Sequence, residues 1–266
     1  MNEPARKQEE YWDERLARSF TPAGSGMLAY GTAFNWWRYQ VCRIRLRQVV
    51  GQLGLALRDG EVLDIGCGTG FYLREWQRLG ARHVTGLDIA PTAISRLRIR
   101  FPGCSFVRAD IGHAENPLPP SRFLAISAFS VLFHIVDDVR YRSALRNIHA
   151  ALAPGGYLVL SDNFVHAPRP AWGDYHVCRT LKAIEEALDQ TGFSVLERVP
   201  YSVLYDDPVD SSSWWLRQYW RGLSWCVTRS NVVGGCVGAV LFPLELLLTG
   251  LLRESPTAEI MVCRKR

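Results

Sequence analysis

Residues 61–72 read EVLDIGCGTGFY, a stretch that sets one carboxylate, Asp64, ahead of Gly66, Gly68 and Gly70. Glycines spaced two apart at the end of an apolar run let backbone N–H groups approach a ligand closely, because glycine takes dihedrals that other residues resist and has no side chain in the way. The spacing excludes the two common phosphate loops. A dinucleotide fingerprint needs glycine at position 71, where this chain has Phe71, and a P-loop needs a Gly-Lys-Ser/Thr run that is absent. Asp64 beside the turn would repel a pyrophosphate and suits an ammonium group or hydroxyls. Two further acids close the next apolar runs: Asp88 in TGLDIAP, 18 residues after Gly70, and Asp110 in FVRADIG. Asp88 stands where nucleotide-binding α/β folds use a carboxylate to accept from ribose hydroxyls. Asp110 could accept from an adenine amino group while Ile111 packs on the ring. Three acids around a glycine loop describe a cationic adenosine ligand better than an anionic one.

The elements that must position these residues alternate along the chain. EVLDIG, HVTGLDI, CSFVRADI, RFLAISAFS and YLVLSDNF are short runs rich in Val, Leu and Ile, and FYLREWQRLG, APTAISRLRIRF and VDDVRYRSALRNIHAALAPGG are helix-period segments among them. That is the pattern of βαβ units and a parallel sheet. The third helix is expected to stop at Pro154, Gly155 and Gly156. RTLKAIEEALDQTGF predicts another helix ending near Gly192, SVLERVPYSVLY a sixth strand, and AEIMVCRKR a last strand at the sheet edge.

Length and composition agree with one α/β domain carrying elaborations: 266 residues, 48% hydrophobic and 21% charged. The net charge of +5 has its clearest local source in RYQVCRIRLRQVV, residues 38–50, where Arg43, Arg45 and Arg47 interleave with apolar residues. A solvated helix face is expected there rather than a nucleic-acid patch. The 7 cysteines include no CxxC pair, which disfavours zinc and disulfide frameworks, and no metal site is expected. The charged N-terminal stretch MNEPARKQEEYWDERLARSF lacks the apolar core of a secretory signal, so a cytoplasmic location is expected.

Residues 211–252 read SSSWWLRQYWRGLSWCVTRSNVVGGCVGAVLFPLELLLTGLL, rich in Trp and with Glu245 the sole charge between 232 and 252. This run meets the length of about 20 apolar residues that a hydrocarbon core about 30 Å thick requires. Pairing of the strands on either side argues against a crossing, since both ends of the insert must return to one sheet. Gly234, Gly235, Gly238 and Pro243 are also expected to divide the run into shorter pieces. A packed helical insert or lid is the expectation; shallow contact with a membrane or an apolar substrate through 232–252 comes next, and a true span last.

In their order over residues 60–200, VLDIGCGTGFY, VTGLDIAP, FVRADI, SVLFHIVD, ALAPGGYLVLSD and LKAIEEALDQTGFSVL resemble the class I S-adenosylmethionine-dependent methyltransferases. The resemblance implies an α/β, Rossmann-like fold: a seven-stranded, mostly parallel sheet with helices on both faces and the last strand antiparallel. It divides the chain into an N-terminal helical lid (1–59), a cofactor-binding core (60–205), a helical insert (206–255) and a closing strand (256–266). The implied cofactor is S-adenosylmethionine, with the glycine loop and Asp64 near the methionine part, Asp88 on the ribose and Asp110 near the adenine. The implied cofactor-binding set is Asp64, Gly66, Cys67, Gly68, Gly70, Tyr72, Asp88, Ile89, Asp110, Ile111 and Ala128.

Methyl transfer from a sulfonium is an in-line displacement, so the protein chiefly positions the nucleophile and a base is optional. His134 in SVLFHIVDD and His176 in DYHVCRTLKAIEEAL are the candidate catalytic residues, each with a structural role as the alternative. His166 beside Asn163 and Asp162, and His83, His113 and His149, read as surface residues. Tyr11, Trp12, Trp36, Trp37 and Tyr39, and in the insert Trp214, Trp215, Tyr219, Trp220 and Trp225, could wall a pocket for a flat or apolar small molecule, or could be ordinary core. The function expected is methylation of a small organic acceptor in a biosynthetic pathway, at oxygen first and at nitrogen or carbon next. Rival readings are an enzyme that binds the cofactor but performs other chemistry, such as a cyclisation, an RNA or protein methyltransferase, and a membrane-associated binding module. SAFS stands where nucleic-acid methyltransferases place an NPPY-type tetrapeptide, so no nucleic-acid partner is expected.

Overall fold

The computed structural model describes residues 3–169 and 175–266, with side chains from residue 5 onward. Its strands are β1 (Glu61–Ile65), β2 (His83–Asp88), β3 (Ser105–Arg108), β4 (Phe123–Phe129), β5 (Leu152–Asp162), β6 (Phe193–Ser202) and β7 (Ala258–Lys265). They form one sheet in the order β3-β2-β1-β4-β5-β7-β6. β1 to β5 pair in parallel, and β7, expected at the sheet edge, instead inserts antiparallel between β5 and β6, so that β6 holds that edge.

Successive strand residues point to opposite faces, and both faces are covered, which is why the strands read as nearly continuous apolar runs. Val62, Val84, Ala125, Val159 and Val262 share a cluster with α3 (Gly31–Leu53), α4 (Phe71–Arg78) and α5 (Pro91–Arg100). Leu63, Leu87, Ile126, Leu158 and Met261 share the other cluster with α6 (Asp138–Ala151) and α7 (Leu181–Thr191). Ahead of these lie α1 (Glu3–Arg18) and the short α2 (Pro22–Ser25), with Leu16 of α1 packed on Ala90 and Ala93 at the start of α5.

Three local expectations are corrected. The helix before β5 ends at Ala151, ahead of Pro154, because Leu152 already pairs with Phe123; the Pro-Gly-Gly run lies in an irregular stretch of β5, after which pairing resumes at Tyr157 with Ala125. The arginines of α3 do not form a solvated face. Arg43 Nε and Arg47 Nη2 donate to the fully buried Glu75 carboxylate at 3.2 and 3.1 Å, Arg78 joins them at 2.6 Å, and Arg45 Nε donates to the Pro200 carbonyl at 3.0 Å.

The third correction concerns the insert between β6 and β7, a hairpin of α8 (Trp214–Val227) and α9 (Asn231–Leu251). α9 continues unbroken through Gly234, Gly235, Gly238 and Pro243. At Gly238 a Cβ would meet Trp37 of α3 at 2.6 Å, so the small residue allows close helix packing instead of ending the helix. Both ends of the hairpin return to one sheet.

Glu75 ties α4 to α3 through Arg43 and Arg47 and pairs with Arg78 of its own helix, three guanidinium groups that are themselves partly exposed and can reach water when it is removed. Glu75→Ala is therefore expected to lower stability by about 1–3 kcal/mol, read as a fall in melting temperature of about 2–4 °C per kcal/mol for a chain of this size. An unchanged melting temperature would show the ion-pair cluster to be idle.

Candidate active site

The carboxyl ends of β1, β2 and β4 and the loop after β3 converge on a cavity that opens to solvent. Such convergence is where open α/β sheets place ligands. The glycine loop forms one wall. Gly66, Gly68 and Gly70 take φ of +65°, +50° and +83°, and a Cβ on Gly66 would lie 2.4 Å from Val131, so the loop closes this tightly only with glycine there. Gly68 N–H donates to Asp88 Oδ2 at 2.8 Å and Ala90 N–H donates to Oδ1 at 2.9 Å. Each Asp88 oxygen retains capacity for a second donor. Asp110 accepts from Gly112 N–H at 2.8 Å and from Arg140 Nη2 at 2.9 Å, which neutralises its charge at the far end of the cavity.

Helix α1 covers the opening. Gln8, Trp12 and Leu16 line the cavity from above, and Asp13 Oδ1 accepts from Thr92 N–H at 2.7 Å at the start of α5. Ser25 Oγ lies 3.0 Å from Thr69 Oγ1 and 3.2 Å from the Tyr39 hydroxyl, joining the segment after α1 to the glycine loop and to α3. Arg15 donates to the carbonyls of Gly24 and Gly26 and to the Tyr11 hydroxyl.

A second cavity adjoins the first, and Trp12, Ser25, Phe129, Ser130 and His134 line both. Its remaining wall is aromatic and cationic: Arg15, Arg38, Tyr39, Tyr72, Phe133, His176 and Tyr201, with no carboxylate among the residues described as lining it.

Comparison with known proteins places this geometry in a family. A family model described as a methyltransferase domain matches residues 62–156, the stretch from β1 into β5 that holds the glycine loop, Asp88, Asp110 and His134. Residues 62–156 thus match a methyltransferase domain, and the relatives that match the chain include S-adenosylmethionine-dependent methyltransferases. A probable S-adenosylmethionine-dependent methyltransferase of Mycolicibacterium smegmatis is 32% identical over 60% of this chain and 60% of its own length. A tRNA U34 carboxymethyltransferase of Nautilia profundicola is 30% identical over 39% of this chain and 34% of its own. In both, the match spans less than two thirds of the relative. Among solved structures, the N-methyltransferase NodS of Bradyrhizobium japonicum, in complex with S-adenosylhomocysteine, superposes with a TM-score of 0.58 at 19% identity, covering 97% of this chain and 98% of that one. S-adenosylmethionine, the cofactor expected from the sequence, is named for the Mycolicibacterium relative, and NodS is bound to the corresponding S-adenosylhomocysteine.

Of the residues expected to hold that cofactor, Gly66, Gly68, Asp88, Ile89, Asp110 and Ile111 line the first cavity. Cys67, Gly70 and Ala128 do not: Cys67 and Ala128 are buried in the two sheet clusters, and Gly70 caps α4 against Phe101 and Leu97. Tyr72 lines the second cavity, its hydroxyl hydrogen-bonded to that of Tyr201. Asp64 lies behind the loop. Its Oδ1 accepts from Ser127 Oγ at 2.7 Å, the neighbour that strand register dictates, and Ser127 Oγ in turn accepts from Trp76 Nε1 at 2.9 Å.

Burial pushes the Asp64 carboxyl up to about 7, and its Oδ2 has no partner among the described residues. His134 sits between the two cavities. Its Nδ1–H donates to the Tyr175 carbonyl at 2.6 Å, which leaves the Nε2 lone pair as an acceptor, and burial pushes its pKa down to about 4. His176 stacks on Phe133 with ring centroids 4.4 Å apart, and burial lowers its pKa too. His166 is exposed and pairs with Asp210 at 2.6 Å.

The residues that sequence patterning missed are those from outside the core: Gln8, Leu16, Arg15, Ser25 and Arg38. Trp12 and Tyr39 were expected as walls and line the cavities, whereas Trp36 is half exposed and Trp37 packs on Phe242 of α9. None of the insert's Trp214, Trp215, Tyr219, Trp220 or Trp225 lines either cavity.

Two outcomes follow from this geometry. Asp88→Ala removes the acceptor at the β2 end and is expected to weaken S-adenosylmethionine binding by about 1–3 kcal/mol, some 5- to 150-fold, in calorimetric titration; unchanged affinity would exclude Asp88 from the site. Asp64, with a folded pKa near 7 against an ordinary 3.8, holds its proton in the folded state alone between these values. Its contribution to stability is full below about pH 4 and is lost as pH rises through 7. Asp162 and Glu245, raised by burial to about 7, add the same slope. Below its ordinary 6.5, His134, held down to about 4, gives the opposite slope, so the melting temperature is expected to fall from about pH 6.5 to 7, and to fall less in Asp64→Asn; equal slopes in the two proteins would refute the assignment.

Proposed function

We propose that this enzyme transfers the methyl group of S-adenosylmethionine to an oxygen that ionises without help, a phenolate or a carboxylate, on a small aromatic or apolar acceptor, as a step in a biosynthetic pathway. In this reading Asp88 takes the ribose hydroxyls, Asp110 and Ile111 meet the adenine, and the loop from Gly66 to Gly70 receives the methionine end. The cofactor supplies an electrophilic methyl on a sulfonium, so the chain's own residues have to bind, orient and exclude water.

The observation that supports oxygen is the charge of the second cavity. Arg38 is answered by Asp206 at 3.0 Å, while Arg15 has no acidic partner among the described residues. A guanidinium in an aromatic wall stabilises an ionised oxygen and disfavours an ammonium. The histidines argue the same way. His134, with its pKa near 4, would not retain a proton taken from an aliphatic alcohol, so the acceptor must ionise on its own. His134 then shapes the passage between the cavities, with its Nε2 lone pair free to accept from a ligand.

A panel of phenols, carboxylic acids, amines and aliphatic alcohols, assayed for S-adenosylhomocysteine release, tests this. Turnover is expected with phenols or acids, with a rate that follows the acceptor's ionisation and no inflection at the ordinary histidine value of 6.5. Arg15→Gln should lower kcat/KM about 10- to 100-fold, the worth of a hydrogen bond to a charged group. Turnover of amines alone, or of aliphatic alcohols, would sink the oxygen reading.

A further inference from the structure

Helix α9 is apolar on two sides. Toward the protein it buries Gly234, Gly238, Glu245 and Thr249 and packs Val237, Leu241, Phe242 and Leu246, whereas Val232, Cys236, Val240, Leu244, Leu247 and Leu251 are exposed. These outer residues recur every three or four positions, so they form one apolar stripe along all 21 residues, about 30 Å at 1.5 Å per residue. Val240 is 75% exposed and Leu251 71%. Single exposed apolar residues are normal on a soluble surface; a contiguous stripe marks a binding face.

The neighbouring helix α8 supplies the second observation. Its exposed positions are tryptophans and arginines: Trp214, Trp215 and Trp225 with Arg217 and Arg221, and Arg229 just beyond its end, the guanidinium of Arg229 lying 4.2 Å from the Trp225 ring. From 212 to 253 the chain holds four arginines and one acid, the buried Glu245, whose carboxylate is spent on Val203 and Leu204 N–H, each at 2.7 Å. Among the described residues these arginines form no ion pair. Trp and Arg at the rim of an apolar face are the residues that sit at the headgroup level of a bilayer.

We propose that the outer face of the α8–α9 hairpin docks on the headgroup region of an anionic lipid bilayer, with α9 lying in the membrane plane and not crossing it. The inner face of α9 is held against α3 and the end of β6, and the hairpin enters from one sheet strand and leaves to its neighbour, so a crossing is excluded by connectivity. The charge pattern selects lipid over a second copy of this chain. A two-fold interface through this face would bring arginines of one copy toward those of the other, whereas anionic headgroups neutralise them. The hairpin also adjoins the second cavity: the Tyr30 hydroxyl is 2.9 Å from Ser224 Oγ of α8, and Met27, which lines that cavity, packs in the hairpin cluster. Docking there would bring the acceptor cavity close to the membrane surface.

Flotation of the full chain with vesicles of phosphatidylcholine alone, and with about one third phosphatidylglycerol, tests the proposal independently of any acceptor. The expected result is co-flotation with the anionic vesicles, weakened at least tenfold by high salt, by neutral vesicles and by Arg217→Gln with Arg221→Gln. Val240→Glu and Leu247→Glu should abolish it while leaving S-adenosylmethionine binding and the melting temperature unchanged, which separates loss of docking from misfolding. Absence of co-flotation with both vesicle types overturns the proposal. So does a dimer in light scattering that Val240→Glu dissociates without any vesicle binding by the wild type, since the face would then be a protein interface.

Discussion

The buried hydrogen bond from Gly68 N–H to the Asp88 carboxylate ties the end of β1 to the end of β2, and the site is arranged around it. It forms because parallel pairing places Ile65 opposite Leu87, so that the chain leaving β1 meets the chain leaving β2 at the same height. Gly66 and Cys67 N–H groups then donate to the Leu87 carbonyl at 2.7 and 3.1 Å, and the loop has no freedom left to drift. Burial raises the Asp88 carboxyl while the backbone N–H groups pull it back down. That balance keeps an acceptor with spare lone pairs at the edge of a largely apolar cavity, which is what a nucleoside with a cationic tail requires.

Closure of α1 depends on the same loop. Thr69, between two glycines with left-handed dihedrals, meets Ser25, and Arg15 gathers the carbonyls on either side of Ser25. The segment after α1 thus docks on the donor site and, through Tyr39, on α3. Its side chains shape the second cavity as well, so the residues that would exclude water from the donor also set the charge seen by the acceptor. Trp12 lies on both cavities with its ring edge-on to His134, centroids 4.9 Å apart, and packs that imidazole at the junction of the two, where burial lowers its pKa.

Periodicity and punctuation made the sheet legible because a strand covered on both faces must be apolar throughout and a helix on one face must not. The number of strands and the antiparallel sense of the last followed from resemblance, and the strand ends from glycines and acids, whereas the place of β7 inside the sheet did not. What escaped was set by partners distant in sequence. The α3 arginines look solvated until Glu75, 28 to 32 residues away, is known to be their buried partner. Asp64 looks like a ligand residue because it precedes the loop, but alternation along β1 turns it toward Ser127. Arg15, Ser25 and Arg38 come from outside the motif-bearing core, and no spacing rule connects them to it.

The glycines of α9 were misread for a related reason. In isolation, glycine and proline weaken a helix, and four of them in one apolar run look like breaks. Against α3 the glycines become the positions where two helices approach, with Trp37 filling the space a side chain would take at Gly238. Phe242, Leu241 and Leu246 pack inward beside them, and Val240, Leu244, Leu247 and Leu251 lie on the opposite side. That side faces away from the protein, and the one acid of the run is drawn inward to cap the free N–H groups of Val203 and Leu204 at the end of β6. One requirement, closing the sheet end with a carboxylate on a tightly packed helix, therefore accounts for the buried acid of α9. It does not account for the unbroken apolar exterior, which an aqueous surface would not need and a lipid surface would.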